Sequence, residues 1–135
     1  MVILFDRFNL PDDIFDIVFA TNQQKIVAKE LVKYIFDKRG EITKSQMSKF
    51  ATELHDGEYT TVLEDGEFKG KKVKLSYNKR QFYDRILTPM KSMGMVDYDL
   101  YKKTYKITVK FETDVAKIGS LWTQFVRKMK GLDEE

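Results

Sequence analysis

The sequence predicts an α+β fold that is mainly helical, and three observations support this. Several segments combine helical spacing of apolar residues with N-terminal capping boxes. Short segments in the second half alternate apolar and polar residues, as strands do. With 135 residues, of which 42% are hydrophobic and 33% charged, the chain is long enough for one domain with a real core. We expect a single domain, 1–135, divided into an N-terminal extension (1–20), a core (21–111) and a C-terminal helix (112–131).

The N-terminal extension predicts one short helix within Asn9–Ala20. Pro11 can occupy a first helical turn, and Asp12 and Asp13 suit the positive end of the helix dipole. Together with Asp16 these carboxylates could form a divalent-ion site. Because acids at the start of a helix are more often caps than ligands, we predict no metal here.

Two further helices are predicted at residues 21–40 and 41–54. Each begins with the spacing of a capping box, and the pairs are Thr21 with Gln24 and Thr43 with Gln46. Gly40 stands where the first of these helices should stop. After them, residues 55–76 predict a hairpin or a long ordered loop, with strand character at Tyr59–Leu63 and Lys72–Tyr77. Its lysines can either contact a phosphate backbone or remain solvated: Lys69, Lys71, Lys72 and Lys74.

The segment Asn78–Met93 predicts a helix with one apolar and one polar face. Asn78 can cap it, with Gln81 three residues later completing a capping box. The apolar face comprises Phe82, Tyr83, Ile86, Leu87, Met90 and Met93. Pro89 lacks a backbone donor and disfavours α conformation at Thr88, which predicts a kink there.

The remaining segments predict a two-stranded hairpin and a terminal helix. The hairpin covers residues 95–111 with its tip at Leu100–Lys103, and alternation continues to Phe111. The last helix covers Thr113–Gly131. Its apolar residues step by three and four, the spacing of a helix-pairing seam: Val115, Ile118, Trp122, Phe125 and Met129. Such a seam can pack on its own domain or on a second copy, and we predict a homodimer.

The charge distribution points to a polyanionic partner, and other residue types exclude several function classes. Residues 1–68 carry a net charge of −5, residues 69–110 of +9, and residues 111–135 of −1. The absence of cysteine excludes disulfides and thiolate metal sites. We read the single histidine, His55, as a polar residue where a helix ends. Because the sequence has no catalytic motif, we predict that the protein is not an enzyme and needs no cofactor. Because it has no long apolar run, we predict a cytoplasmic, nucleoid-associated protein without a membrane partner.

The order of these elements resembles the winged helix-turn-helix family of DNA-binding domains. The segment "GEITKSQMSKFA" (Gly40–Ala51) is similar to the family's first strand, here Glu41–Ile42, and positioning helix. "NKRQFYDRILTPMKSMGMV" (Asn78–Val96) looks like the recognition helix, and "DYDLYKKTYKITVKF" (Asp97–Phe111) looks like the wing. The insertion at 55–76 departs from the short turn usual in the family. The lysine- and tyrosine-rich, cysteine-free style is similar to small archaeal and archaeal-virus regulators.

The resemblance implies sequence-specific binding of double-stranded DNA, with helix 78–93 in the major groove. It assigns base contacts to Gln81, Arg85 and Thr88. It places phosphate contacts at Lys79 and Arg80 and adds Lys91 to the DNA-binding set. Asp84 is either an acceptor for cytosine or a partner that holds Arg85 in place, and we favour the partner role.

The same resemblance assigns two further groups to DNA. Thr43, Lys44 and Ser45 would offer backbone amides and hydroxyls to a phosphate. Lys102 and Lys103 would lie on the flanking backbone or in the minor groove. The alternative is a winged-helix protein-docking module without DNA binding, working through the acidic residues 1–68 and the apolar Met1–Phe5.

Overall fold

The computed structural model describes residues 7–63 and 70–131 and has the predicted α+β composition, mainly helical. The helical segments are α1 (Ile14–Val18), α2 (Asn22–Asp37), α3 (Lys44–His55), α4 (Lys79–Phe82), a π-helical segment (Tyr83–Leu87), α5 (Thr88–Ser92) and α6 (Lys110–Met129). The strands are β1 (Glu41–Thr43), β2 (Tyr59–Val62), β3 (Lys72–Leu75), β4 (Val96–Asp99) and β5 (Thr104–Ile107). Among these described helices, none combines the length and the apolar character that crossing a membrane requires.

The acids at the start of α1 are a cap and ion-pair partners. Asp13 accepts a hydrogen bond from the Phe15 amide at 2.9 Å and pairs with Lys29, while Asp16 pairs with Lys25. Burial of the Asp13 carboxyl raises its pKa, but hydrogen bonds from Lys29 and the Phe15 amide outweigh this and leave the pKa below its ordinary value. The cap interpretation of these aspartates is therefore confirmed for Asp13.

The capping boxes predicted at Thr21 and Thr43 are both present. The Thr21 hydroxyl accepts from the Gln24 amide at 3.1 Å, and the Thr43 hydroxyl accepts from the Gln46 amide at 3.1 Å. In each case the glutamine side chain accepts from the threonine amide in return. Two backbone amide donors at each helix start are thus satisfied by residues within the same turn. This explains why the starts of these helices can be predicted from the sequence.

The strands form two antiparallel sheets. One has the order β1-β5-β4, with Ile42 opposite Tyr105 and Val96 opposite Ile107. The other is the β2–β3 hairpin, which confirms the hairpin reading of residues 55–76. Its connection, including Lys69, lies outside the described residues, as does Met1–Phe5.

α4, the π-helical segment and α5 follow one another without a break, and we call them the composite helix. Phe82, Ile86 and Met90 are fully buried and anchor this helix on the core. Within that core α4 contacts α3, the π-helical segment contacts α2, and α5 contacts β4. The centre of the core is Phe50, whose ring lies 5.6 Å from that of Phe82. The predicted apolar face is therefore confirmed, except that Met93 at its end is exposed.

The expectation that Thr88 avoids the α conformation is wrong. Thr88 is helical, with φ −59° and ψ −48°, and the irregularity is the π-helical segment that precedes it. A proline in regular α-helix clashes with the carbonyl four residues earlier and removes a hydrogen bond. Here the wider π turn comes just before Pro89, and the Tyr83 carbonyl accepts from both the amide and the hydroxyl of Thr88, the latter at 2.8 Å. The helix thus continues through Pro89.

The predicted strand to Phe111 is also wrong, because β5 ends at Ile107 and α6 begins at Lys110. The Thr108 hydroxyl accepts from the Lys110 amide at 3.2 Å, and the Gly94 carbonyl accepts from the Phe111 amide at 3.2 Å. These bonds turn the chain into the helix. Val109, which lies between β5 and α6, is exposed.

Candidate nucleic-acid interface

The outer face of the composite helix carries four exposed polar side chains in a row. Gln81, Arg85, Thr88 and Lys91 follow one another at intervals of four, three and three residues. In a regular α-helix such intervals keep side chains on one side, but the π-helical segment Tyr83–Leu87 has a wider turn, so the row shifts around the helix axis there. The side chains assigned to base contact from sequence are all exposed, on a helix whose opposite side is held by the core.

The side chain of Gln81 does not make the hydrogen bond that a complete capping box would give it. The Asn78 side chain accepts from the Gln81 amide at 3.0 Å, as in a capping box. The reciprocal bond, formed by Gln24 in α2 and by Gln46 in α3, is not formed here. The exposed Gln81 carboxamide thus keeps both its donor and its acceptor for an external partner. Thr88, by contrast, uses its hydroxyl hydrogen within the helix and presents its methyl group and an oxygen lone pair.

The partner predicted for Asp84 is wrong. Its carboxylate lies 3.9 Å from the Arg80 guanidinium, four residues earlier, and no contact with Arg85 is formed. Residues four apart stand above one another on a helix, whereas adjacent residues point about 100° apart. Because Arg80 and Asp84 are both highly exposed, their ion pair is weak and can exchange for a phosphate contact. Arg85 extends from the helix without this carboxylate.

Lys79 links the composite helix to α3. Its ammonium donates to the hydroxyls of Thr52 at 2.9 Å and Ser48 at 3.4 Å. Its backbone amide donates to Nδ1 of His55 at 3.1 Å. His55 indeed stands at the end of a helix, as predicted, and it also caps the next one. Of the cations assigned to phosphates, Lys79 is therefore the one whose ammonium is already engaged.

The tip of the β4–β5 hairpin is a rigid turn built around Asp99. The Asp99 carboxylate accepts from the amides of Tyr101 at 2.9 Å and Lys102 at 3.0 Å, and these bonds lower its pKa below the ordinary value. Lys103 adopts a left-handed conformation with φ +56°, and its amide closes the turn on the Asp99 carbonyl at 2.7 Å. The side chains of Lys102 and Lys103 are exposed.

Tyr101 is a candidate that sequence reasoning missed. Its side chain is 99% exposed at the hairpin tip, next to the two lysines. The sequence signal that could have identified Tyr101 is an aromatic residue within a polar turn. The alternation of the flanking strands does not show whether such a ring is exposed or packed against the core.

The start of α3 and the hairpin tip form one surface, which we call the tip patch: Thr43, Lys44, Ser45, Lys102 and Lys103. Strand β1 pairs with β5, so that Thr43 lies opposite Thr104. The Lys44 amide donates to the Lys103 carbonyl at 2.9 Å. Residues about 60 positions apart are thereby joined.

The same contacts correct part of the prediction for the α3 terminus. The Lys44 amide is used by Lys103, and the Thr43 hydroxyl accepts from Gln46. The Lys44 amide is therefore not open to a phosphate, whereas the Thr43 hydroxyl accepts from Gln46 and keeps its own hydrogen to donate. What the tip patch offers is the Lys44 ammonium, the Thr43 and Ser45 hydroxyls and the two tip lysines.

On the β2–β3 hairpin, Lys72 and Lys74 are exposed on the same side of β3. They provide a further basic strip, separate in the fold from the β4–β5 sheet.

α6 carries an uncovered apolar stripe: Val115, Ile118, Trp122, Phe125 and Met129. Their side chains are 48%, 67%, 66%, 55% and 72% exposed, in that order. The rings of Trp122 and Phe125 stack on each other at 5.8 Å. No residue of α6 is buried, so the stripe is not packed on the domain that carries it.

Within residues 7–63 and 70–131, no group of three or more His, Cys, Asp or Glu side chains is arranged to hold a metal ion. Comparison of the chain with protein-family models, curated proteins and solved structures finds no match.

Proposed function

We propose that the protein binds double-stranded DNA in a sequence-specific manner and regulates transcription, in the way that winged helix-turn-helix domains do. The observation that carries this proposal is the exposed row Gln81–Arg85–Thr88–Lys91 on a helix whose other side is buried. This row lies within the stretch of net charge +9. A helix presented in this way fits the major groove, where side chains can reach base edges.

Each polar side chain of the row has a chemical role in the proposal. Arg85 pairs with guanine through two hydrogen bonds, and Gln81 pairs with adenine through its amide. Arg80 and Lys91 neutralise phosphates beside the groove. Thr88 offers its methyl group to thymine.

The tip patch extends the contact beyond the major groove. Lys102 and Lys103 follow the flanking backbone or enter the minor groove, and Lys44 takes a further phosphate. Tyr101 packs its ring against a sugar. Because the Asp99 turn holds the tip in one shape, little conformational freedom is lost on binding.

Selection of bound duplexes from a random pool tests this function. We expect a defined consensus from the wild-type protein and a changed preference at one position from Arg85→Ala. Lys117→Ala, which removes an exposed cation from α6, is the matched control and should leave the consensus unchanged. If the pool yields no enriched sequence and low-salt duplex is not retained, a protein-docking role replaces DNA binding.

We further propose that two copies pair through the α6 stripe in an antiparallel arrangement. If the pair is centred near Ser120, Val115 faces Phe125 of the second copy and Ile118 faces its Trp122. The charges favour this direction, because Asp114 then lies beside Lys128 of the second copy.

The base of α6 supports the same pairing. An apolar groove of about 260 Å³ lies there, with Phe15, Met95, Ile107 and Phe111 among its lining residues. In the antiparallel pair Met129 of the second copy reaches Phe111 and the groove beside it. Each end of the stripe then has an apolar partner.

Analytical ultracentrifugation of charge variants tests the dimer. Asp114→Lys should weaken association, and adding Lys128→Asp in the same chain should restore it. Restoration is specific to the antiparallel direction, because each reversed residue then meets its complement on the other copy. A wild-type protein that sediments as a monomer at high micromolar concentration would refute the pairing.

A further inference from the structure

A second cavity lies between α1 and α2 beside the end of β2, and none of its lining residues belongs to the composite helix. Its volume is about 290 Å³. Phe15, Ile26, Val32 and Leu63 give it apolar walls, and Glu30 lines it from the middle of α2. Ligand pockets begin at roughly this size, and about 150 Å³ suffices for a benzene ring.

Glu30 is the only charged side chain that is buried among the described residues, at 5% exposure. One carboxylate oxygen, Oε2, lies 3.9 Å from the Lys33 ammonium. The other, Oε1, is buried and has no hydrogen-bond partner within the described part of the chain. Native proteins rarely leave a buried carboxylate oxygen without a donor, because the water it has lost must be replaced.

The two lysines that also line the cavity do not meet this requirement. Lys29 pairs with Asp13 and lies over the Phe15 ring, 5.7 Å from its centre. Lys33 donates to the Thr61 hydroxyl at 3.3 Å and to the Val62 carbonyl at 3.4 Å. Lys33 thus also approaches the other oxygen of Glu30, Oε2, but neither ammonium donates to Oε1, and the need of Oε1 for a donor remains.

We infer that this cavity binds a small amphiphilic amine. The ammonium donates to Oε1 of Glu30, and a single ring or short alkyl chain packs against Phe15, Ile26, Val32 and Leu63. The charged donor satisfies the buried carboxylate, and the apolar part leaves water for the walls of the cavity. This site is separate from the DNA interface and does not depend on it.

Titration of the free protein with phenethylamine, followed by ¹⁵N–¹H correlation spectra, tests the inference. We expect saturable shifts of the amides of residues 26–33 and of Leu63. The matched compounds 3-phenylpropionate and 2-phenylethanol have the same ring without the ammonium. They should bind about tenfold more weakly or not at all.

Two variants separate the carboxylate from the cavity. Glu30→Gln keeps the shape but removes the charge, and it should weaken phenethylamine binding about tenfold or more. Ile26→Trp keeps Glu30 and fills the cavity, and it should abolish binding; the spectra themselves report whether each variant is folded. Absence of saturable shifts at millimolar amine, equal binding of the alcohol, or unchanged binding by both variants would overturn the inference.

Discussion

The salt dependence of DNA binding offers a quantitative test of the interface, because the structure states how many cations can take part. Six exposed cations lie on the proposed surface: Lys44, Arg80, Arg85, Lys91, Lys102 and Lys103. Lys79 is left out because Thr52 and Ser48 hold its ammonium. With Arg85 assigned to a base, five cations remain for phosphates.

Each neutralised phosphate contributes about 0.9 to the slope of log affinity against log salt. Five contacts predict a slope of about −4.5 per protomer, so affinity should fall roughly 500-fold between about 50 and 200 mM salt. Lys102→Gln should reduce the slope by about 0.9 without changing sequence preference. Arg85→Ala should do the opposite, losing about 1–3 kcal/mol on the preferred duplex with nearly the same slope.

Fluorescence anisotropy with the selected duplex and a scrambled one, over a range of salt concentrations, measures both quantities. Lys117→Gln, on α6, removes the same charge from an exposed site outside the interface and controls for net charge. If Lys102→Gln and Lys117→Gln lowered the slope equally, binding would follow overall charge and not the tip patch. A wild-type slope near zero would refute the electrostatic argument entirely.

Three further predictions concern the scaffold that holds this surface. Gly94 and Gly40 both have positive φ, but of the two only Gly94 has close neighbours, because a Cβ there would lie 3.2 Å from Lys110 Cβ and Phe111 N. In urea unfolding, Gly40→Ala should lower the free energy of unfolding by about 1 kcal/mol, and Gly94→Ala should lower it by about 1–3 kcal/mol more. Equal losses from the two substitutions would contradict the close approach at Gly94. Hydrogen bonds lower the pKa of Asp99 in the folded state, so the stabilisation from its carboxylate is complete above the unfolded-state pKa and is lost as the pH falls through the folded-state pKa. The difference in Tm between wild type and Asp99→Ala should therefore shrink as the pH falls from about 5 to 2. A Tm difference that does not change with pH would count against the hydrogen-bonded turn. The ring of Phe50 lies 4.9–5.6 Å from three other aromatic rings. Phe50→Ala should therefore lower the free energy of unfolding by about 3–5 kcal/mol, and Phe50→Leu should lower it clearly less. Similar losses from the two substitutions would show that the buried side-chain volume is unimportant at this position.

Local chemistry explains which elements could be predicted from the sequence. The capping boxes at Thr21 and Thr43 act within four residues, and so does the Asn78 cap; all three define helix starts correctly. The burial of Phe82, Ile86 and Met90 follows from helical spacing alone.

Three predictions failed, one because of a more distant hydrogen bond and two because of the geometry of the helix itself. The alternation from Tyr105 onward favoured a strand to Phe111, but Phe111 bonds to Gly94 and the chain turns into α6. The helix continues through Pro89 because a π turn and the Tyr83 carbonyl accommodate it. Asp84 pairs with Arg80 and not with Arg85. The four-residue spacing between Arg80 and Asp84 on a helix favours this pair.

The sequence by itself determined the α+β class, the helix starts, the buried side of the composite helix and the concentration of cations in residues 69–110. Each of these depends on neighbours within about one or two helical turns or on composition. Only the tertiary structure decided that the α3 start and the hairpin tip adjoin, that Lys79 is engaged by α3, and that Glu30 is buried without a full set of partners. These depend on strand pairing and helix packing between residues up to about 60 positions apart, and no short-range pattern encodes such distances.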